Sequence, residues 1–306
     1  MKKRILAVLI ATALAVSVTG CAGNATSSSD STSASSVAES SDTSTQTSSD
    51  ASSEDESKNE SSQEESKDLE ANYTKYTLDG DLTQHMIDMS RLNEGNKVRL
   101  ANVIKKLKNG EEVTVGFIGG SITQGTSAGN DLCYAKLTAD WLQKTYSNAK
   151  INYVNAGIGA TGSYIGVHRV ANDLLSKNPD LVFVEFSVND TTENTERNKK
   201  SYDGLLRTIW KSSTNPAIIT IATTQEDGTS FQDQHAEIVK HYDLPMISYR
   251  NTILDTIKHG DIVWKDISDD NIHPNVPGHK IVSQLLQAYI SAVSYTHLTL
   301  PTKLEV

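Results

Sequence analysis

The chain has 306 residues and a formal net charge of −10, and residues 22–68 alone hold 11 acidic against 2 basic side chains. The remainder is mildly acidic and has no basic stripe, which gives no reason to expect nucleic acid as a partner. With roughly the first seventy residues set aside, enough chain is left for one domain whose core needs neither disulfide nor metal.

Met1-Lys2-Lys3-Arg4 is a basic opening, and Ile5 to Val18 is an apolar stretch too short to span a bilayer as a helix. It ends in Val18-Thr19-Gly20-Cys21, which resembles the lipobox of bacterial lipoproteins. That resemblance implies loss of 1–20, acylation of Cys21 and an extracytoplasmic protein held at the cell surface by its lipid alone. The second of the two cysteines, Cys133, then stands without a partner and reads as a small core residue within a helical pattern. The next stretch, 22–68, holds 18 serines and almost nothing apolar. It cannot bury enough surface to offset its chain entropy, so 21–72 reads as a disordered tether with ends roughly 40 Å apart. A lead-in segment, 73–95, precedes the domain.

From Asn96 the pattern changes. Val98, Ala101, Ile104 and Leu107 mark an amphipathic helix that ends near Asn109-Gly110. Val113 to Ile118 is a short β-branched run, read as a buried strand. Helices and strands then alternate: helix 131–147, strand 151–155, helix 164–177, strand 181–186, helix 200–213, strand 217–222, helix 232–242, strand 245–248, helix 250–258 and a last helix over 276–292. Apolar strands alternating with helices predict an α/β fold, a three-layer α/β/α sandwich with a flavodoxin-like parallel sheet of about five strands. Ligands of such sheets bind at the carboxyl ends of the strands. The segment 293–306, with Ser294-Tyr295-Thr296-His297-Leu298, resembles a translated sequencing adapter and is expected to lie outside the fold.

Chemistry-bearing residues fall at strand ends. After the first strand, Gly119-Gly120-Ser121 allows a sharp turn that exposes a hydroxyl at the sheet edge. No Gly-Lys-Ser/Thr is present there, which excludes a P-loop. Asn155-Ala156-Gly157-Ile158-Gly159-Ala160-Thr161-Gly162 follows the second strand and offers backbone N–H groups. Ser187-Val188-Asn189-Asp190 follows the third, where Asn-Asp alone would pass for a turn or helix cap. Near the C-terminus, Asp270-Asn271-Ile272-His273 spaces a carboxylate to reach Nδ1 of the imidazole and leave Nε2 for a substrate. Glu185 reads as a hydrogen-bonded structural carboxylate, and His168, His235, His241 and His279 as structural residues. No His, Cys or Asp cluster shows metal-ligand spacing, so no metal is expected.

Taken together, these turns resemble the conserved blocks of the SGNH/GDSL hydrolases, in family order, over about 111–290. The resemblance implies a serine esterase without cofactor. Ser121 would be the nucleophile, and Asp270 and His273 would complete the triad. The oxyanion hole would take the N–H of Ser121, an N–H of Ala160 or Gly159, and the Asn189 amide. Gly-Gly-Ser stands here in place of the usual Gly-Asp-Ser, and Ala160 stands where the family has a glycine. Polar loops at 124–130, 190–200 and 224–230 suit sugar hydroxyls better than a lipid tail. The expected substrate is therefore an O-acyl, chiefly O-acetyl, group on extracellular or surface polysaccharide. A lipase or lysophospholipase, an O-acyltransferase, and an idle glycan-binding lipoprotein stay open as alternatives.

Overall fold

Val113, Val115 and Phe117 join one hydrophobic cluster, while Ile118 of the same strand joins another. The alternation repeats at Leu181 and Phe183 against Val182 and Val184, and at Ile219 and Ile221 against Ile218 and Ala222. Side chains of a strand alternate between faces, so apolar residues at successive positions require helices on both sides of the sheet.

The computed structural model describes residues 73–299, Glu193 excepted. The signal-like segment, Cys21 and the tether lie outside the described residues. In chain order the elements are α1 (Gln84–Ser90), β1 (Arg91–Asn93), α2 (Val98–Lys108), β2 (Glu112–Gly119) and α3 (Ser121–Gln124). Next come α4 (Tyr134–Thr145), β3 (Lys150–Gly157), α5 (Ser163–Asp173), β4 (Leu181–Glu185), α6 (Thr195–Trp210) and β5 (Ala217–Ala222). The chain continues through α7 (Gln232–His241), β6 (Met246–Ser248), α8 (Tyr249–Lys258), α9 (Trp264–Ile267) and α10 (Val276–Thr299). Short 3-10 turns occupy Leu175–Lys177 and Asn189–Thr192.

The sheet runs β1-β6-β5-β4-β2-β3, with β1 antiparallel to β6 and every other pair parallel. The five parallel strands have the expected order, and β1 adds a sixth at the edge. One face is covered by α2, α4, α8 and α10, which contribute Leu107, Leu142, Ile253 and Leu286 to the core. The other is covered by α5, α6 and α7 through Val170, Leu205 and Val239. In the first layer Phe117 stacks on Phe183 of the neighbouring strand, with centroids 4.6 Å apart.

Several boundaries differ from the sequence reading. The lead-in segment folds: Thr83 caps α1 by accepting from the Met86 N–H at 3.2 Å, and β1 pairs with the sheet. The buried stripe of α2 is Leu100, Val103, Ile104 and Leu107, whereas Val98 is 59% exposed. Helix α6 starts near Thr195 because Asn194 Oδ1 accepts from the Arg197 N–H at 2.9 Å, a cap that apolar periodicity does not register. Cys133 is buried as expected but precedes α4 as its N-cap residue. Helix α10 continues past 292, Val293 is buried in the core, and Lys108 Nζ donates to the Ser294 carbonyl. The fold's contacts thus reach into 293–294, and the expected boundary moves outward to the exposed Tyr295.

Candidate active site

Parallel strands β2, β3 and β4 end side by side, Gly119 opposite Gly157 on one flank and Glu185 on the other. The three turns that follow them therefore share one edge. The first is tightly packed around its two glycines. A Cβ on Gly119 would lie 2.5 Å from the Glu185 carbonyl oxygen, and one on Gly120 would lie 2.0 Å from Asn189 Oδ1. The absence of side chains lets the Asn189 amide approach the residue before Ser121.

The fourth turn delivers the base. Asp270 Oδ1 accepts from the N–H groups of Ile272 at 2.7 Å and His273 at 2.6 Å, which curls the chain around the carboxylate. Its Oδ2 lies 2.7 Å from His273 Nδ1, and His273 Nε2 lies 2.9 Å from Ser121 Oγ. The carboxylate accepts a hydrogen bond from Nδ1–H, leaving the Nε2 lone pair for the serine hydroxyl. Partial burial raises the Asp270 carboxyl, but the N–H of His273, its imidazole and the N–H of Ile272 outweigh this and hold it at about 2. Trp264 Nε1 donates to the Asp270 carbonyl at 2.6 Å, and Ser268 Oγ lies 2.6 Å from the His273 carbonyl, fixing the turn from below.

The expected oxyanion donors divide by their hydrogen bonding. Ser121 opens α3, so its N–H has no intrahelical acceptor. Gly159 N–H donates to Gln124 Oε1 at 2.9 Å, which removes it from the expected pair. Ala160 sits in the left-handed region with φ of 57°, a conformation that glycine adopts without strain. Among the described residues its N–H has no acceptor, so of the two expected donors Ala160 is the one left unengaged.

Residues invisible as functional in the sequence hold these turns together. Asp190 follows Asn189 directly and is buried; its Oδ1 accepts from the Ser163 N–H at 2.8 Å and its Oδ2 lies 2.9 Å from His235 Nε2. His235 is stacked on Tyr202 at 3.6 Å, and burial lowers its pKa, partly opposed by Asp190. Arg169 donates from Nη2 to the Gly119 carbonyl and from Nη1 to the Ala156 carbonyl, bridging the ends of β2 and β3. Asn155 Nδ2 donates to the Thr123 carbonyl at 2.8 Å. His279 Nδ1 accepts from the Tyr134 N–H, and Tyr134 Oη pairs with Thr123 Oγ1 two residues from Ser121. Burial brings His279 down to about 4, so it stays neutral. Glu185 is buried beneath the site and raised to about 7, chiefly by desolvation, with Thr223 Oγ1 donating to Oε1 at 2.7 Å. These structural histidines and Glu185 match their expected roles. Folding also brings His85 beside Asp255 and His259, a grouping that sequence spacing does not register.

The profile of the GDSL-like lipase/acylhydrolase family matches residues 117–281. A comparison with curated proteins gives no match. Among solved structures, a two-domain esterase active on acetylated mannans, co-crystallised with mannopentaose, is 38% identical with a TM-score of 0.66. The alignment covers 68% of this chain and 57% of that one, so the chain spans little more than half of its relative's length. An acetylxylan esterase from Geobacillus stearothermophilus is 18% identical over 58% of this chain and 94% of its own, with a TM-score of 0.50, a likeness of fold alone. A further acetyl xylan esterase is 22% identical over 57% of this chain and 98% of its own, again with a TM-score of 0.50. The matched segment takes in more than half of the chain and all four turns, and on that basis the chain belongs to the GDSL-like lipase/acylhydrolase family.

Proposed function

We propose that this protein is a serine esterase that removes O-acyl groups, chiefly O-acetyl, from extracellular or surface polysaccharide. The observation that carries the reading is the unbroken relay of Ser121 Oγ, His273 and Asp270, with contacts of 2.9 and 2.7 Å. His273 Nε2 takes the hydroxyl proton as Oγ attacks the ester carbonyl carbon. The negative charge that develops on the carbonyl oxygen is met by the N–H groups of Ser121 and Ala160 and by the Asn189 amide, each donor contributing about 3 kcal/mol in the transition state. His273 returns the proton to the leaving alcohol, and the acyl group stays on Oγ. Water, deprotonated by the same imidazole, then releases the acid and restores the hydroxyl. Asp270 keeps its charge throughout, orienting the ring and stabilising the imidazolium.

The substrate class rests on two supports. One is the 38% identical esterase, which acts on acetylated mannans. The other is the polar rim: Glu226 N–H donates to the Asn271 carbonyl, so the 224–230 loop borders the histidine turn. Anchoring through an acylated Cys21 belongs to the same proposal and rests on the lipobox-like sequence. Among the described residues no helix is long and apolar enough to cross a membrane. A lipase is the second reading, favoured by Ile158, Tyr164 and Ile165, each at least 40% exposed beside the second turn. A series of esters from acetyl to octanoyl separates the two. We expect kcat/KM to fall steeply with chain length, and acetylated mannan or xylan oligosaccharides to outperform aryl acetates; a rate that climbs with each methylene would favour the lipase.

A further inference from the structure

A second set of ionisable side chains converges far from Ser121. Helix α8 leaves the carboxyl end of β6 and runs back along the sheet, so its C-terminus lies roughly 15 Å from the catalytic edge. There Asp255 and His259, four residues apart, stack on one face of the helix end. The buried His85 of α1 meets them, although 170 residues separate it from Asp255. Its Nε2 lies 2.6 Å from Asp255 Oδ2, and His259 Nδ1 lies 3.3 Å from the same oxygen. All three ligand-type atoms fall within 4.8 Å of one another.

The surroundings favour a cation. Asp261 lies beside the cluster, with its Oδ2 accepting from the Tyr73 hydroxyl and from the Tyr76 N–H. The Tyr73 ring stacks on His259 at 4.1 Å and meets His85 edge-on at 5.3 Å, holding both imidazoles in place. Among the described residues no lysine or arginine pairs with Asp255 or Asp261. Two partly buried carboxylates thus stand beside two imidazole rings with no such cation paired to them, a setting in which a metal ion is favourable.

We propose that His85, Asp255 and His259 bind a divalent first-row transition metal, in the first place Zn²⁺. Two imidazole nitrogens and one carboxylate oxygen suit that ion, whereas Ca²⁺ and Mg²⁺ require oxygen ligands. A tetrahedral ion with bonds near 2.0–2.1 Å has ligand atoms about 3.3 Å apart, so the observed triangle closes with side-chain shifts of about 1 Å. Binding replaces the two contacts to the carboxylate, and the contact of His259 Nδ1 with the Asp255 carbonyl at 3.0 Å. Each ring proton moves to the other nitrogen, and water takes the fourth position. The ion's role is structural. It clamps the segment bearing Tyr73, Tyr76 and α1 onto α8.

The test is thermal melting of the full chain, stripped of metal and then titrated with ZnCl₂. Zn²⁺ at a hundredfold excess over its Kd is expected to raise Tm by roughly 5–10 °C. Co²⁺ should give the visible absorption of a tetrahedral site. His259→Asn, at the more exposed ligand, should fold, hydrolyse an aryl acetate at the parent rate, and lose both the Tm shift and the Co²⁺ band. An unchanged Tm together with a silent Co²⁺ spectrum in the parent chain would overturn the proposal. So would a shift that survives in His259→Asn, because the ion would then sit elsewhere.

Discussion

The domain contains two aspartate–histidine pairs of nearly equal length in opposite settings. In Asp270–His273 the contact is 2.7 Å and the side chains are 46% and 20% exposed; in Asp190–His235 it is 2.9 Å and they are 1% and 0% exposed. The first shares its imidazole with Ser121, whereas the second is packed against Tyr202 and Phe231 and ties the Asn189 turn to the Ser163 N–H. A histidine can cycle a proton only if its second nitrogen meets a reacting group and water can exchange nearby. Among the described residues His235 Nδ1 has no partner, and burial lowers the pKa of the ring. In the proposed mechanism one pair therefore performs chemistry while the other holds the geometry in which the chemistry occurs.

The two pairs should separate cleanly under mutation. His273→Ala is expected to lower kcat by roughly 10⁴-fold or more with little change in Tm, since only binding and oxyanion stabilisation survive. Steady-state rates with melting curves check both halves of that statement. Asp190→Asn or His235→Ala should show the reverse balance. Breaking a buried pair costs about 3–5 kcal/mol, so Tm should drop by many degrees, and the residual activity at low temperature should show a smaller kcat loss than His273→Ala. Equal kinetic losses in the two pairs would mean that the buried one takes part in proton transfer.

Glu185 sharpens the same contrast through pH. Its folded-state value of about 7 lies above the ordinary carboxylate value, so the native state holds this proton more tightly than the unfolded chain. That stability is present in full below the unfolded value and is lost as pH rises through about 7. Glu185→Gln mimics the protonated form. Its Tm relative to the parent should improve between about pH 5 and about pH 8, and parallel curves would show that the buried carboxylate is charged in the fold.

The smallest effect belongs to Ala160. Glycine adopts the left-handed conformation freely and keeps the N–H, so Ala160→Gly should leave kcat/KM within a few-fold of the parent. A loss comparable to His273→Ala would show that the alanine methyl has a role this account lacks.

Much of this was legible in the sequence for physical reasons. Strands such as Leu181–Glu185 are buried on both faces and read as continuous apolar runs, and β5 has the bounds expected for it. The catalytic turns are short local segments in which Gly119, Gly120 and the Asp270–His273 spacing carry their own geometry. What stayed hidden depends on long-range contacts. Strand β1 has three residues and no periodicity, and exists because β6 offers it a partner. The engagement of Gly159 follows from Gln124, 35 residues away, whose side chain has no local signature. The His85 cluster joins the two ends of the domain in the same way.

The central claim is that Ser121 carries the acyl group. It is tested most directly by measuring acetate released from acetylated mannan or xylan oligosaccharides by the full chain and by Ser121→Ala at matched concentrations. The account predicts ready release by the parent and a fall of at least about 10⁴-fold in the variant, with Tm unchanged. Release by Ser121→Ala at the parent rate would contradict it.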